Sequence, residues 1–150
     1  MEKPRTTGGY TLIELMVVVA VIAVIAAIAI PSYNGYIRES EFGAARANAN
    51  TFRVFIEDFW LDNSTFANST ALDASCPVTD GNYNKAEMRS CFGWSPDGDG
   101  GIFDYALQAD ATSWSITVEH TSSGRWIRCE NRMNNCCDSD TSGATTTACP

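Results

Sequence analysis

Apolar and polar positions are divided very unevenly along this chain. From Tyr10 to Ile30 it reads YTLIELMVVVAVIAVIAAIAI, with Glu14 as the one charged residue. At about 1.5 Å of rise per residue, a helix of this length spans roughly 30 Å, the thickness of a bilayer core. Helical spacing continues past Pro31. Tyr33, Tyr36, Ile37 and Ser40 share one face, and Phe52, Phe55, Ile56 and Phe59 recur at i, i+3, i+4 and i+7. Ala44, Ala45, Ala47 and Ala49 favour helix between these sets. One helix is predicted from about Thr11 to Leu61, with its first half in a membrane and its phenylalanines against a sheet.

Beyond the helix the pattern changes. Residues 62–101 are rich in Asn, Ser, Asp and Gly and are read as a long irregular connection. Three alternating segments follow, Ile102–Ala109, Trp114–Thr121 and Arg125–Cys129, with Ser122-Ser123-Gly124 as a turn. They predict an antiparallel meander. The tail from Glu130 to Pro150 has little apolar content, so covalent links are expected to hold it. The fold class is α+β: a long N-terminal helix packed on a small antiparallel β-sheet, with a disulfide-closed C-terminal region. The expected divisions are residues 1–9, 10–61 and 62–150.

Cys76, Cys91, Cys129, Cys136, Cys137 and Cys149 all lie in the C-terminal half. An even count in an exported domain reads as a disulfide set, for which about fifteen full pairings exist. Adjacent Cys136 and Cys137 are expected to have different partners, because a bond between neighbours strains the peptide. Cys76 and Cys91 bracket part of the irregular connection and are expected to pair, leaving the other four to form two bonds. Zinc is disfavoured: Cys136-Cys137 lacks the usual ligand gap and His120 is the one histidine. His120 is expected at the surface of a strand.

The net charge is −8. An acidic exterior repels phosphate backbones, so no nucleic-acid partner is expected. Arg125, Arg128 and Arg132 are the one local basic group, read as a solvated stretch. Asp97, Asp99 and Asp104 lie on a Gly-rich loop and are a candidate calcium set, although the spacing is shorter than an EF-hand loop and lacks its terminal Glu. No cofactor is required. No nucleophile–base arrangement, Gly-x-Ser-x-Gly elbow or phosphate-binding glycine motif appears, so an enzyme is not expected. Asn63-Ser64-Thr65 and Asn68-Ser69-Thr70 fit the N-glycosylation pattern, which often matches by chance.

Lys3 and Arg5 precede the apolar segment, and the first basic residue after it is Arg38. That asymmetry keeps the N-terminus cytoplasmic and sends the C-terminal part outward. A secretory signal cut after Ala27-Ile28-Ala29 would have an unusually long apolar region interrupted by Glu14. A plain anchor leaves Glu14 unexplained, since a carboxylate at membrane depth costs roughly 2.5–3.5 kcal/mol.

Gly8-Gly9-Tyr10-Thr11-Leu12-Ile13-Glu14-Leu15 resembles the processing signature of type IV prepilins and secretion pseudopilins. The resemblance takes in the basic leader and the apolar run through Ile30-Pro31-Ser32-Tyr33. Tyr10 stands where phenylalanine is usual. The Phe103–Leu107 segment and the C-terminal cysteines also resemble those of Gram-negative pilins.

This resemblance implies cleavage between Gly9 and Tyr10, methylation of the new Tyr10 amine, and retention of the apolar helix. It implies a leader at 1–9, a transmembrane and filament-core helix at 10–61, and an extracellular head at 62–150. Glu14 would pair with the Tyr10 amine of a neighbouring subunit and set register during assembly, and Pro31 would kink the helix. The implied partners are copies of the chain in a helical filament, a prepilin peptidase, the pilus assembly machinery and, before assembly, the inner membrane. The final location would be a cell-surface pilus serving adhesion, twitching motility or related tasks. A type II secretion pseudopilin, to which calcium would also be suited, and a membrane-anchored binding or enzymatic domain are the alternatives.

Overall fold

The computed structural model describes residues 9–67, 76, 80–132 and 136–150. It divides into two compact units, one ending at Ser40 and the other running Glu41–Pro150. Helix α1, Leu12–Asn63, extends through Pro31 and contributes to both. Its bounds lie close to those expected. The division falls inside the helix instead of at its end, because from Phe42 onward its side chains enter the core of the second unit.

In that unit the helix buries one stripe: Phe42, Ala45, Ala49, Phe52 and Ile56, with Phe59 packed at its margin. Phe55, expected in the stripe, lies at its flank and is 38% exposed. The small Ala45 and Ala49 let the helix approach the sheet, while Phe52 sets its ring edge-on to Phe92, Trp94 and Trp114. Such pairs contribute beyond their buried area.

The sheet has five antiparallel strands in sequence order: β1 Asn82–Asn84, β2 Phe103–Ala109, β3 Trp114–His120, β4 Trp126–Glu130 and β5 Cys137–Asp138. Alternation sends Phe103, Tyr105, Leu107 and Ala109 inward from β2, opposite Ile116 and Val118 of β3 and Ile127 of β4. At the β2–β3 turn, Asp110 accepts bonds from Thr112 N, Ser113 N and the Ser113 hydroxyl at 2.7–2.8 Å. Those bonds, led by the Ser113 hydroxyl, lower its carboxyl to about 2.

The connection expected to be irregular contains β1 and a second helix, α2 Lys85–Phe92. Asn84 caps α2 by accepting from Ala86 N and Glu87 N, and Glu87 accepts from Asn84 N in return. Gly93, at φ 69°, ends it. Gly81 also has a positive φ of 76°, and a Cβ there would lie 2.2 Å from the Ala109 carbonyl oxygen. Only glycine permits the Ala109 N to Gly81 O bond of 2.8 Å that closes β1 onto β2.

Candidate functional site

Among the described residues, the apolar side chains of the N-terminal unit are exposed. Thirteen large aliphatic side chains between Leu12 and Ile30 are at least half exposed, from Val18 at 52% to Leu12 at 76%. Burial of one such side chain contributes roughly 1.5–3 kcal/mol. Leaving all of them in water would cost roughly 20–40 kcal/mol on that scale, more than the whole stability of an ordinary domain. A helix apolar all round requires lipid or other helices as its surroundings. By length and composition the helix is long and apolar enough to cross a membrane.

Thr11 and Glu14 sit at the head of this helix. Glu14 Oε2 accepts from Thr11 N at 2.9 Å and from Thr11 Oγ1 at 2.8 Å, while Glu14 N donates to Thr11 Oγ1 at 3.3 Å. This is a capping box: the hydroxyl and the carboxylate each satisfy an amide at the helix start. Sequence reasoning passed over it, though Thr-Leu-Ile-Glu is its signature. Glu14 Oε1 accepts no bond among the described residues, so one carboxylate oxygen stays open towards a cation.

Gly9 and Tyr10 precede the first helical turn, and Tyr10 is 85% exposed. The rest of the expected leader, residues 1–8, lies outside the described residues. Pro31 lacks the N–H that would otherwise bond the Ala27 carbonyl, and the Ser32 hydroxyl donates to the Ile28 carbonyl at 3.3 Å.

The structure does not gather the carboxylates of the acidic loop, Asp97, Asp99 and Asp104, into one group. Asp99 Oδ2 is held by Lys85 Nζ at 2.7 Å, and Asp104 points outward from β2. Asp97 presents its backbone to Asn48, which accepts from Asp97 N at 3.1 Å and donates to Asp97 O at 3.0 Å. Among the described residues no three His, Cys, Asp or Glu side chains converge for a metal. The loop is held by the Asn48 amide and by Lys85.

The three arginines do not form a solvated basic patch. Arg128 is buried at 7% exposure and bonds Glu130, Thr117, Ser115 and the Thr146 carbonyl. Arg125 pairs with Asp140, while Arg132 is exposed. Arg128 and Arg132 line a recess of about 380 Å³ that also holds Asp80, Asp110 and Glu130, so its charge is mixed. His120 is also less exposed than expected. It stacks on Phe42, and its Nδ1 lies 3.2–3.3 Å from Ser122 N and Ser123 N, capping the β3–β4 turn.

The disulfides join Cys76 to Cys91, Cys129 to Cys136 and Cys137 to Cys149. The first ties the connection to α2, the second joins β4 to the segment entering β5, and the third fastens the chain end to β5. Of the two possible glycosylation sites, Asn63 donates to the Phe59 carbonyl at 2.9 Å, and Asn68-Ser69-Thr70 lies outside the described residues.

Residues 4–30 match the family described as the prokaryotic N-terminal methylation motif. The chain is 37% identical over 112 residues to a type IV major fimbrial protein FimA of Dichelobacter nodosus, covering 70% of this chain and 66% of that one. Another protein of that name and organism is 48% identical over 54 residues, covering 36% and 35%. Fimbrial protein EcpC of Eikenella corrodens is 31% identical over 85 residues, covering 57% and 56%.

Proposed function

We propose that this chain, which belongs with the type IV pilins through its methylation motif and its fimbrial relatives, is a structural subunit of a type IV pilus. The observation that carries the reading is the bare apolar helix directly behind that motif. Lipid covers such a surface before assembly, and the helices of other copies cover it afterwards. The relatives are named as fimbrial proteins, which supports reading the chain as a structural subunit. The described residues supply no observation in favour of a secretion pseudopilin or an anchored binding domain.

The methylation motif and the fimbrial relatives support the following order of events. A prepilin peptidase cuts between Gly9 and Tyr10 on the cytoplasmic side, and the new Tyr10 amine is methylated. The apolar helix holds the subunit in the inner membrane until the assembly machinery moves it into a filament. There the Glu14 carboxylate enters an apolar bundle, where an uncompensated charge is costly. Thr11 already bonds Oε2, and the Tyr10 amine of a neighbouring copy supplies the cation for Oε1. Apolar packing gives most of the cohesion, and the ion pair sets axial register. Pro31 loosens the helix locally so that it bends as subunits pack.

Electron microscopy of surface fibres from cells with and without this chain tests the reading. Fibres that contain the chain and vanish on its deletion are expected. Unchanged fibres without it, or its presence only as an unassembled membrane protein, would refute the proposal.

A further inference from the structure

The tyrosines of this chain fall into two sets. Tyr83 and Tyr105 are buried in the core of the C-terminal unit. Tyr10, Tyr33 and Tyr36 are the aromatic residues that precede Phe42, and each is more than half exposed. They flank the apolar run, one at its start and two beyond its end, and the run itself holds no other aromatic residue. Tyr33 and Tyr36 share a helix face with Ile37. Neither phenol hydroxyl has a hydrogen-bond partner among the described residues.

Their spacing matches a bilayer. From Leu12 to Ile30 a helix rises about 27 Å, close to the roughly 30 Å of a hydrocarbon core. Tyr33 lies about 4–5 Å further along the axis and Tyr36 about 9 Å further. The headgroup layer on each side of the core is about 5–8 Å deep. Helical side chains lean toward the N-terminus, here the side of the apolar run, so both rings reach back into that layer. A phenol suits it: the ring lies against apolar chain ends while the hydroxyl meets ester, phosphate and water oxygens. Deeper in the core the hydroxyl would lack a partner, and further out the ring would face water. Arg38 is exposed and is the first cation past the run. Its apolar stem can lie along the lipid while the guanidinium reaches the phosphates.

We propose that Tyr33, Tyr36 and Arg38 form a lipid-binding belt that seats in the phospholipid headgroup layer at the outer end of the apolar helix and fixes its depth before assembly, on the reading that the chain is a pilus subunit held in the inner membrane. Tyr10 is the opposing anchor at the cytoplasmic interface. Anchored at both ends, the helix resists sliding along its axis. The Gly9–Tyr10 junction is thereby held at one height relative to the membrane.

Fluorine NMR of the full-length chain carrying 3-fluorotyrosine tests the belt, in nanodiscs of phosphatidylethanolamine and phosphatidylglycerol. Tyr33→Phe and Tyr36→Phe assign the two signals. Gadolinium on the lipid headgroup should broaden both about threefold or more beyond a nitroxide at the acyl-chain end or a soluble gadolinium chelate. Equal or greater broadening by either of those probes would overturn the proposal. Depth is read at Tyr10. In Tyr33→Ala, Tyr36→Ala its broadening by headgroup gadolinium should change by about twofold or more, and in Tyr33→Trp, Tyr36→Trp it should keep the parent value. An alanine variant that keeps the parent depth would overturn the belt and leave the pilus reading intact; if that variant also lost fibres, the tyrosines would belong to contacts between copies instead. A parent chain that does not enter the lipid would overturn the pilus reading as well.

Discussion

Glu14 Oε2 accepts both the amide and the hydroxyl of Thr11, three residues earlier, at 2.9 and 2.8 Å. The carboxylate therefore has a local task, initiating α1, before any partner is considered. This changes the account of the one charge in the apolar segment. Part of its insertion cost is offset within the chain by charge-assisted bonds, and one oxygen remains for an intersubunit contact. Local capping and intersubunit pairing thus become separable roles.

Glu14→Gln separates them, because Gln can close the same capping box without the charge. Both Glu14→Gln and Glu14→Ala are expected to insert into the membrane and to lose about tenfold or more in fibre yield, the order of one lost buried ion pair. Sheared-fibre yield from cells with the variant as the sole subunit is the measurement. Normal yield from Glu14→Gln would assign Glu14 to capping alone.

The burial pattern of α1 gives a stability contrast between two phenylalanines three residues apart. Phe52 is fully buried among Phe92, Trp94 and Trp114, whereas Phe55 is 38% exposed. Phe52→Ala should destabilise the C-terminal unit by about 3–5 kcal/mol. Phe55→Ala should cost about 1 kcal/mol or less. Denaturant titration of the full chain in micelles, followed by tryptophan fluorescence, distinguishes them, and equal losses would contradict the observed facing of the helix.

Tyr105 provides an alkaline signature. Burial, with a smaller push from Asp99, raises its phenol from 10.0 to about 12, against the opposing bond from Asn48. The folded state prefers the neutral phenol, so its stabilising share is complete below pH 10.0 and is lost as pH rises towards about 12. Phenolate absorbance should show Tyr105 ionising late, and Tyr105→Phe should lower the late amplitude by one phenol. A late amplitude left unchanged in Tyr105→Phe would place the perturbed phenol elsewhere.

Much of this architecture is legible in the sequence where one physical signal dominates. The apolar run, the phenylalanine spacing and the three alternating segments give α1, β2, β3 and β4 within a few residues, since periodicity follows burial directly. The segment holding β1 and α2 was hidden by its polar composition. Its signals were local: Asn84 and Glu87 as a capping box and Gly93 as the stop. Phe55 and Phe42 exchanged places in the stripe because a four-residue match cannot fix which edge of a helix faces the sheet. The tail's position over the outer face, which buries Arg128, was not readable at all. It depends on long-range pairing, and a buried arginine looks the same in sequence as a solvated one. The contacts of the acidic loop were unreadable for a related reason, since Lys85 and Asn48, which bond Asp99 and the Asp97 backbone, come from other elements.

The central claim is that the apolar helix stays in the mature subunit behind a processed, modified N-terminus. Mass spectrometry of the subunit taken from purified fibres tests it most directly. The account predicts an N-terminal peptide beginning at Tyr10 and carrying a methylated amine, with the whole apolar segment present. A mature chain beginning at Ile30, as an ordinary signal peptide would leave, would contradict it.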